Sequence, residues 1–387
     1  MPHSEGERVH LPTSAALGTT GTTSGMLEDL RALVCAESPS SDPVSLVSCA
    51  EVLAGIGERL LGVAPQIVEV EGIPQVSWSF GGEPSVLLLG HLDTVWPLGT
   101  LEDHPWCVRD GHALGPGVFD MKAGLVQALH AVAALDPWES DGITLLVTAD
   151  EEVAAPTSRE RILREAGTHP STLVLEASAP GGALKTARRG VGHYSLEVHG
   201  RAAHAGLEPA SGVNASIELA HQILALSALD AGPAGATVTP TVIEGGTTIN
   251  TVPSFAAVAI DVRTPSRAEQ ERVEQGLADL RPVLPGAVLD LSGGVTHPPL
   301  EPASSAALYA RAVEVAQRLG QEAPGRAAVG GASDGNIAAS AGSRVLDGLG
   351  AVGGGAHAAD EHVVVEEMPR RAALVTALLR SLAEDPL

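Results

Sequence analysis

The stretch SVLLLGHLDTV, residues 85–95, runs from Val86 to Gly90 without a polar side chain and then sets His91 and Asp93 two positions apart. A strand that is apolar on both faces belongs where a sheet is covered by helices on both sides, the usual environment of parallel strands. Its polar end then lies at the carboxyl edge of that sheet, where open α/β sheets bind ligands. Because successive residues of a strand face opposite ways, residues 91 and 93 are expected on one side.

The flanking sequence repeats this logic. Leu27, Leu30, Leu33 and Val34, then Leu46, Val47, Val52, Leu53, Ile56 and Leu60, recur at helical spacing on either side of the SPSSDP turn, which predicts two opening helices. QIVEV, QVSWSF, ITLLVT and STLVLEA read as further strands, with helices over AGLVQALHAVAAL (residues 123–135) and ERILREAG (residues 160–167). Beyond Lys185 the order becomes strand, helix, strand, strand, helix, strand, which fits a small ferredoxin-like sandwich. The expected organisation is a disordered tail over residues 1–25, a catalytic α/β domain with a largely parallel sheet over 26–186 and 296–387, and an inserted unit over 187–295.

Composition narrows the function. The chain has 387 residues and a formal charge of −24, which repels nucleic-acid phosphates and anionic membrane surfaces. No apolar run approaches the ~20 residues of a membrane span, and the N-terminus lacks the basic start and apolar stretch of a secretory signal. Three scattered cysteines form no CxxC pair, so a cytoplasmic address is expected.

The strand ends collect an unusual set of residues: His91 and Asp93, Asp120 in GPGVFDMKAG, Asp150-Glu151-Glu152 after ITLLVTA, and Glu176 after STLVL. His357 joins them from the glycine-rich GGGAHAADEH. Singly, each has an ordinary explanation as an N-cap, a loop histidine or a solvated surface acid. Together they form an imidazole and carboxylate set without thiolate, as expected for zinc, cobalt or manganese in a hydrolytic site. Two imidazoles and three carboxylates suit two ions sharing a bridging carboxylate.

GHLDTV, GPGVFDMKAG, TADEE, VLEAS, GRAAHAG, GGTTINTVP, DVR, GGASDGN and GGGAHAADE, in this order, resemble the di-zinc exopeptidase family of glutamate carboxypeptidase, aminoacylase and succinyl-diaminopimelate desuccinylase, with glutamate carboxypeptidase the nearest in look. The resemblance implies two Zn2+ per subunit, or Co2+ or Mn2+: one held by His91 and Glu176, the other by Glu152 and His357, with Asp120 bridging and its bond to Met121 cis. Asp93 would orient the His91 ring, and Glu151 would act as general base. His204 in GRAAHAG would reach from a partner subunit's lid to the oxyanion, which requires a homodimer through the inserted domain. Asn250 and Arg263 would grip the substrate carboxylate, and Gly331 and Gly355 would let the backbone approach metal or substrate closely. The implied activity is amide hydrolysis, either release of a C-terminal amino acid such as glutamate or removal of an acyl group from an amino acid, on a small peptide or N-acyl amino acid. The sequence departs from the glutamate-cleaving members on the strand leaving the lid, which reads SGGVTHPPLEP with His297 and no arginine, while KTARRG before the lid is more basic than the resemblance requires.

Overall fold

The computed structural model describes residues 22–387. Most of the expected tail, residues 1–21, lies outside that range, and its last three residues open a helix rather than continue a tail. That helix, α1 (Thr23–Cys35), begins where the Thr22 hydroxyl accepts the Gly25 N–H. The second, α2 (Pro43–Leu61), is N-capped by Asp42, which accepts from Val44 and Ser45 N–H, has proline at its first position, and stops at Gly62 with φ 70°.

A six-stranded sheet forms the centre of the larger unit. Its strands β1 (Gln66–Val70), β2 (Ile73–Ser79), β3 (Val86–His91), β4 (Ile143–Thr148) and β5 (Ser171–Val174) are completed by Arg344–Leu346, in the spatial order β1, β2, β4, β3, β5, Arg344–Leu346. Strand β3 pairs parallel with β4 and β5, and β5 pairs parallel with Arg344–Leu346; the β1–β2 hairpin adds an antiparallel edge. Every residue of β3, β4 and β5 is buried. Leu88 and Leu145 pack on one face with α1, α2, the helix α3 (Ala123–Ala133) and the C-terminal helix Glu367–Glu384. Leu87, Leu89 and Leu146 pack on the other with Ile162 of α4 (Arg159–Thr168) and with Ile337. This two-sided burial is what the unbroken apolar stretch demands.

Close backbone approach brings the site elements together. A side chain at Gly124, in the first turn of α3, would sit 2.1 Å from the Leu175 carbonyl oxygen. Only glycine lets the helix that follows Asp120 press against the strand end that precedes Glu176.

The insert folds as an antiparallel sheet of β6 (Gly190–His199), β7 (Thr237–Gly245), β8 (Phe255–Thr264) and β9 (Val288–His297), in the order β7, β8, β6, β9. Helices α5 (Ala215–Ser227) and α6 (Arg267–Ala278) cover one face and share a separate apolar core with it, including Leu196, Val258, Leu219 and Val273. This is the expected ferredoxin-like sandwich. Its two connections to the larger unit run side by side, where Val191 faces His297. Buried Asn336 donates to the carbonyls of Arg189 and Pro298, one on each connection. Among the described residues, no helix is long and apolar enough to cross a membrane.

Candidate metal centre

The strand ends place their acids around one imidazole. His91 closes β3, Glu151 and Glu152 follow β4 on a single turn of 3-10 helix, Glu176 follows β5, and Asp120 lies just ahead of α3. His91 Nε2 is 3.4 Å from Asp120 Oδ1, 3.4 Å from Glu176 Oε1 and 3.9 Å from Glu151 Oε2. His357 Nε2 is 3.5 Å from the other Asp120 oxygen, Oδ2, and 3.3 Å from Glu152 Oε1. Asp120 thus faces one imidazole with each oxygen. The Asp120–Met121 peptide bond is cis, as the resemblance implies.

Donor atoms of His91, Glu151 and Glu176 lie within 4.8 Å of one another, as do those of His91, Asp120 and Glu152. His91 Nε2 is buried and has no hydrogen-bond partner of proper geometry. A desolvated donor without a partner is costly unless a cation completes it. Imidazole nitrogen with carboxylate oxygen, and no sulfur, is a donor set for zinc and similar divalent ions.

Asp93 does more than orient a ring. His91 Nδ1 is 3.0 Å from the Asp93 main-chain carbonyl and 3.4 Å from its carboxylate. The carboxylate also accepts the Glu151 and Glu152 N–H groups, both at 3.2 Å, and the Ser40 hydroxyl at 2.7 Å. The pairing continues past His91, where the Leu92 N–H donates to the Thr148 carbonyl and Thr94 bridges Pro39, and the Asp93 carboxylate lies beside the His91 ring. Asp150 is spent locally on Thr157 and Ser158.

Crowding of acids governs the electrostatics. Burial, with Glu176, Asp334 and Glu152 nearby, pushes Glu151 well above the usual carboxylate range against the pull of His91. Burial and the Asp120 charge would raise Glu176 as well, but Arg188, His91 and Lys185 hold it at about 2. Hydrogen bonds to Asp120 and Glu152 lift His357 to about 10. For Asp120, burial opposes ionisation, yet His357 and His91 keep it well below its ordinary value.

The residues expected on the insert have other partners here. His204 Nδ1 accepts from Gly206 and Leu207 N–H, and the Asn250 carbonyl accepts from Ala205 N–H. Arg263 forms a forked pair with Asp261 at 2.8–3.2 Å. Among the described residues, none of the three hydrogen-bonds to a member of the His91 cluster. The Gly331 carbonyl accepts from Arg188, and nothing crowds its Cα. Gly355 has φ 76°, and a side chain there would meet the Asp360 backbone at 2.8 Å. Conformational tightness accounts for it.

Sequence reasoning left several supporting groups unassigned. Arg188 is buried and fully engaged: it donates to Glu176 at 3.0 Å, to both Asp347 oxygens at 2.6 and 3.3 Å, and to the Gly331 and Ala332 carbonyls. Asp347 follows the Arg344–Leu346 strand, a strand-end position like the others, on a strand too short to stand out. Asp334, from GGASDGN, accepts the Thr148 hydroxyl at 3.0 Å, and burial lifts it to about 7. Glu361 accepts the N–H groups of Gly117, Phe119 and Asp120, in the segment that ends at Asp120.

The description "Peptidase family M20/M25/M40" matches residues 87–381. The chain is 29% identical over 319 residues to carboxypeptidase G2 of Pseudomonas sp., covering 78% of this chain and 74% of that one. It is 30% identical over 323 residues to succinyl-diaminopimelate desuccinylase of Granulibacter bethesdensis, covering 76% and 82%. The crystal structure of aminopeptidase PepT from Bacillus cereus superposes with a TM-score of 0.74 at 22% identity, over 94% of this chain and 99% of that one.

Proposed function

Because the chain belongs to peptidase family M20/M25/M40, and is on that ground a metal-dependent hydrolase, we propose that it cleaves an amide bond next to a carboxylate-bearing amino acid, releasing a C-terminal residue such as glutamate. The observation that carries this reading is the division of the Asp120 carboxylate between His91 and His357, each imidazole with a further acid beside it.

In this reading His91 with Glu176, and His357 with Glu152, would hold two zinc ions, or cobalt or manganese, with the Asp120 carboxylate offering one oxygen toward each pair. When bound, such ions polarise the amide carbonyl and acidify water. Glu151 accepts the proton of the attacking water as the oxygen–carbon bond forms, and passes it to the amine nitrogen as the carbon–nitrogen bond breaks. Burial makes Glu151 a stronger base than an exposed carboxylate, which suits a group that must take a proton and then return it. Asp93 fixes both the His91 ring and the turn that carries Glu151.

The substrate contacts come from the insert, taken as a lid over residues 187–295 of a homodimer. His204 of the second subunit stabilises the oxyanion, and Asn250 and Arg263 grip the carboxylate, Arg263 exchanging Asp261 for the substrate. The open space over Gly331 leaves room for the substrate backbone. Leu207, Leu224 and Ile249, exposed on the insert, support a subunit contact there. Three free cysteines support a cytoplasmic setting.

The second reading is an N-acyl-amino-acid deacylase, favoured by the 30% identity to a desuccinylase. One panel separates the two: peptides ending in glutamate against N-acetyl and N-succinyl amino acids. Turnover lost on chelation and restored by zinc or cobalt is expected. Chelator-resistant turnover, or none across the panel, would overturn the proposal.

A further inference from the structure

Glu361 lies four residues beyond His357 and is 3% exposed. Its Oε1 accepts the N–H groups of Phe119 at 2.8 Å and Asp120 at 3.0 Å. Its Oε2 accepts the Gly117 N–H at 2.9 Å and the Trp96 indole N–H at 2.7 Å. An ionised carboxylate is an acceptor with about four lone-pair sites, so four convergent donors use all of it. Glu361 therefore has nothing left to offer a metal or a substrate.

The donors are otherwise stranded. Gly117, at φ 69°, has no room for a side chain, which would meet the Thr94 methyl at 2.4 Å. This tight turn aims three main-chain N–H groups inward at one point. Glu361 is itself fixed in the loop of His357 by successive turns, its N–H bonded to the Ala358 carbonyl and the Ala358 N–H to that of Gly355. One carboxylate thus joins the segment that presents Asp120 to the loop that presents His357, although the two are more than 200 residues apart in sequence.

We propose that Glu361 is a positioning residue: by gathering the Gly117, Phe119 and Asp120 N–H groups, it sets the Asp120 carboxylate at its working distance from His357. The assignment rests on the reading above that Asp120 is shared between two ions. A glutamine in its place turns one acceptor oxygen into a donor, facing two N–H groups that it repels.

The test compares Glu361→Gln, Glu361→Asp and Trp96→Phe with the native chain. In the metal-free protein, Glu361→Gln is expected to speed amide exchange at Gly117, Phe119 and Asp120 by about tenfold or more, while Leu88 and Leu145 in the sheet stay unchanged. Zinc affinity, read by competition with a chromophoric chelator, falls about 10- to 100-fold, and kcat falls similarly with a much smaller change in KM. Glu361→Asp keeps the charge but shortens the reach and falls between; it carries the same readouts if Glu361→Gln does not fold. Trp96→Phe removes only the indole donor and changes each quantity by less than about threefold. Native exchange rates and native zinc affinity in Glu361→Gln, or in Glu361→Asp where the first does not fold, would overturn the proposal. If the native chain hydrolyses no amide, the activity reading fails by itself, and the exchange and zinc measurements still decide the role of Glu361.

Discussion

At the scale of single residues, Glu151 carries the sharpest expectation. It lies 3.9 Å from His91, while Glu152 faces His357. Glu151→Gln keeps the shape and removes the proton acceptor, so turnover should fall at least about a hundredfold while metal content stays at the native level. Enzyme assay with elemental analysis of the same sample checks it; full activity would remove Glu151 from the base role. His297 makes a second case. Burial, with Arg159, Arg188, Arg263 and His193 around it, lowers its pKa to about 4. The unfolded chain, with an ordinary histidine near 6.5, therefore binds more protons between those values. Stability is complete above pH 6.5 and declines as pH falls toward 4, by at most about 3 kcal/mol. In His297→Asn that pH-dependent part should disappear from urea-unfolding curves; an unchanged slope between pH 6.5 and 4 would contradict it.

Elements tie these residues into place, and the opening helices show how. Asp29 of α1 is buried, accepts from Arg59 of α2, and lies 2.8 Å from His130 Nε2 of α3. Against the opposing effect of burial, His130 and Arg59 depress the Asp29 pKa. Its contribution is therefore present above the unfolded value of about 3.9 and is lost as pH falls through the lower folded value. Asp29→Asn should cost more at pH 7 than near pH 2, by chemical unfolding at the two pH values. Equal costs at both would contradict the linkage. None of this triad was legible in the sequence, because its members sit on three helices and meet only after packing. By contrast β3, β4 and β5 were readable, since full burial leaves no charged residue until the strand stops and only small hydroxyls, Thr144, Thr148, Ser171 and Thr172, among the apolar ones. The same rule exposed His91, Glu151, Glu152 and Glu176 as strand-end groups. Asp347 and Glu361 escaped it, the first behind a three-residue strand and the second because main-chain donors leave no mark in a sequence.

For the molecule as a whole, the proposed site needs two chains. If His204 serves the neighbouring subunit, Glu151→Gln and His204→Ala should each be inactive alone, yet recover about a quarter of native turnover after subunits exchange at equal amounts. In such a mixture half the dimers are mixed, and each has one complete site. No recovery, with exchange verified by mass, would place His204 outside the reaction. Ile249→Asp on the exposed insert should shift sedimentation toward the monomer; an unshifted dimer would move the contact elsewhere.

Arg188 has a consequence for how such a protein is made. Wedged between Glu176 and Asp347, it supplies from within the chain some of the positive charge that the gathered acids require. If that internal charge is enough, the scaffold can fold before any ion reaches it, and loading would follow folding. Chain prepared in chelator should still melt as one cooperative unit, and gradual, uncooperative melting would contradict that order of events.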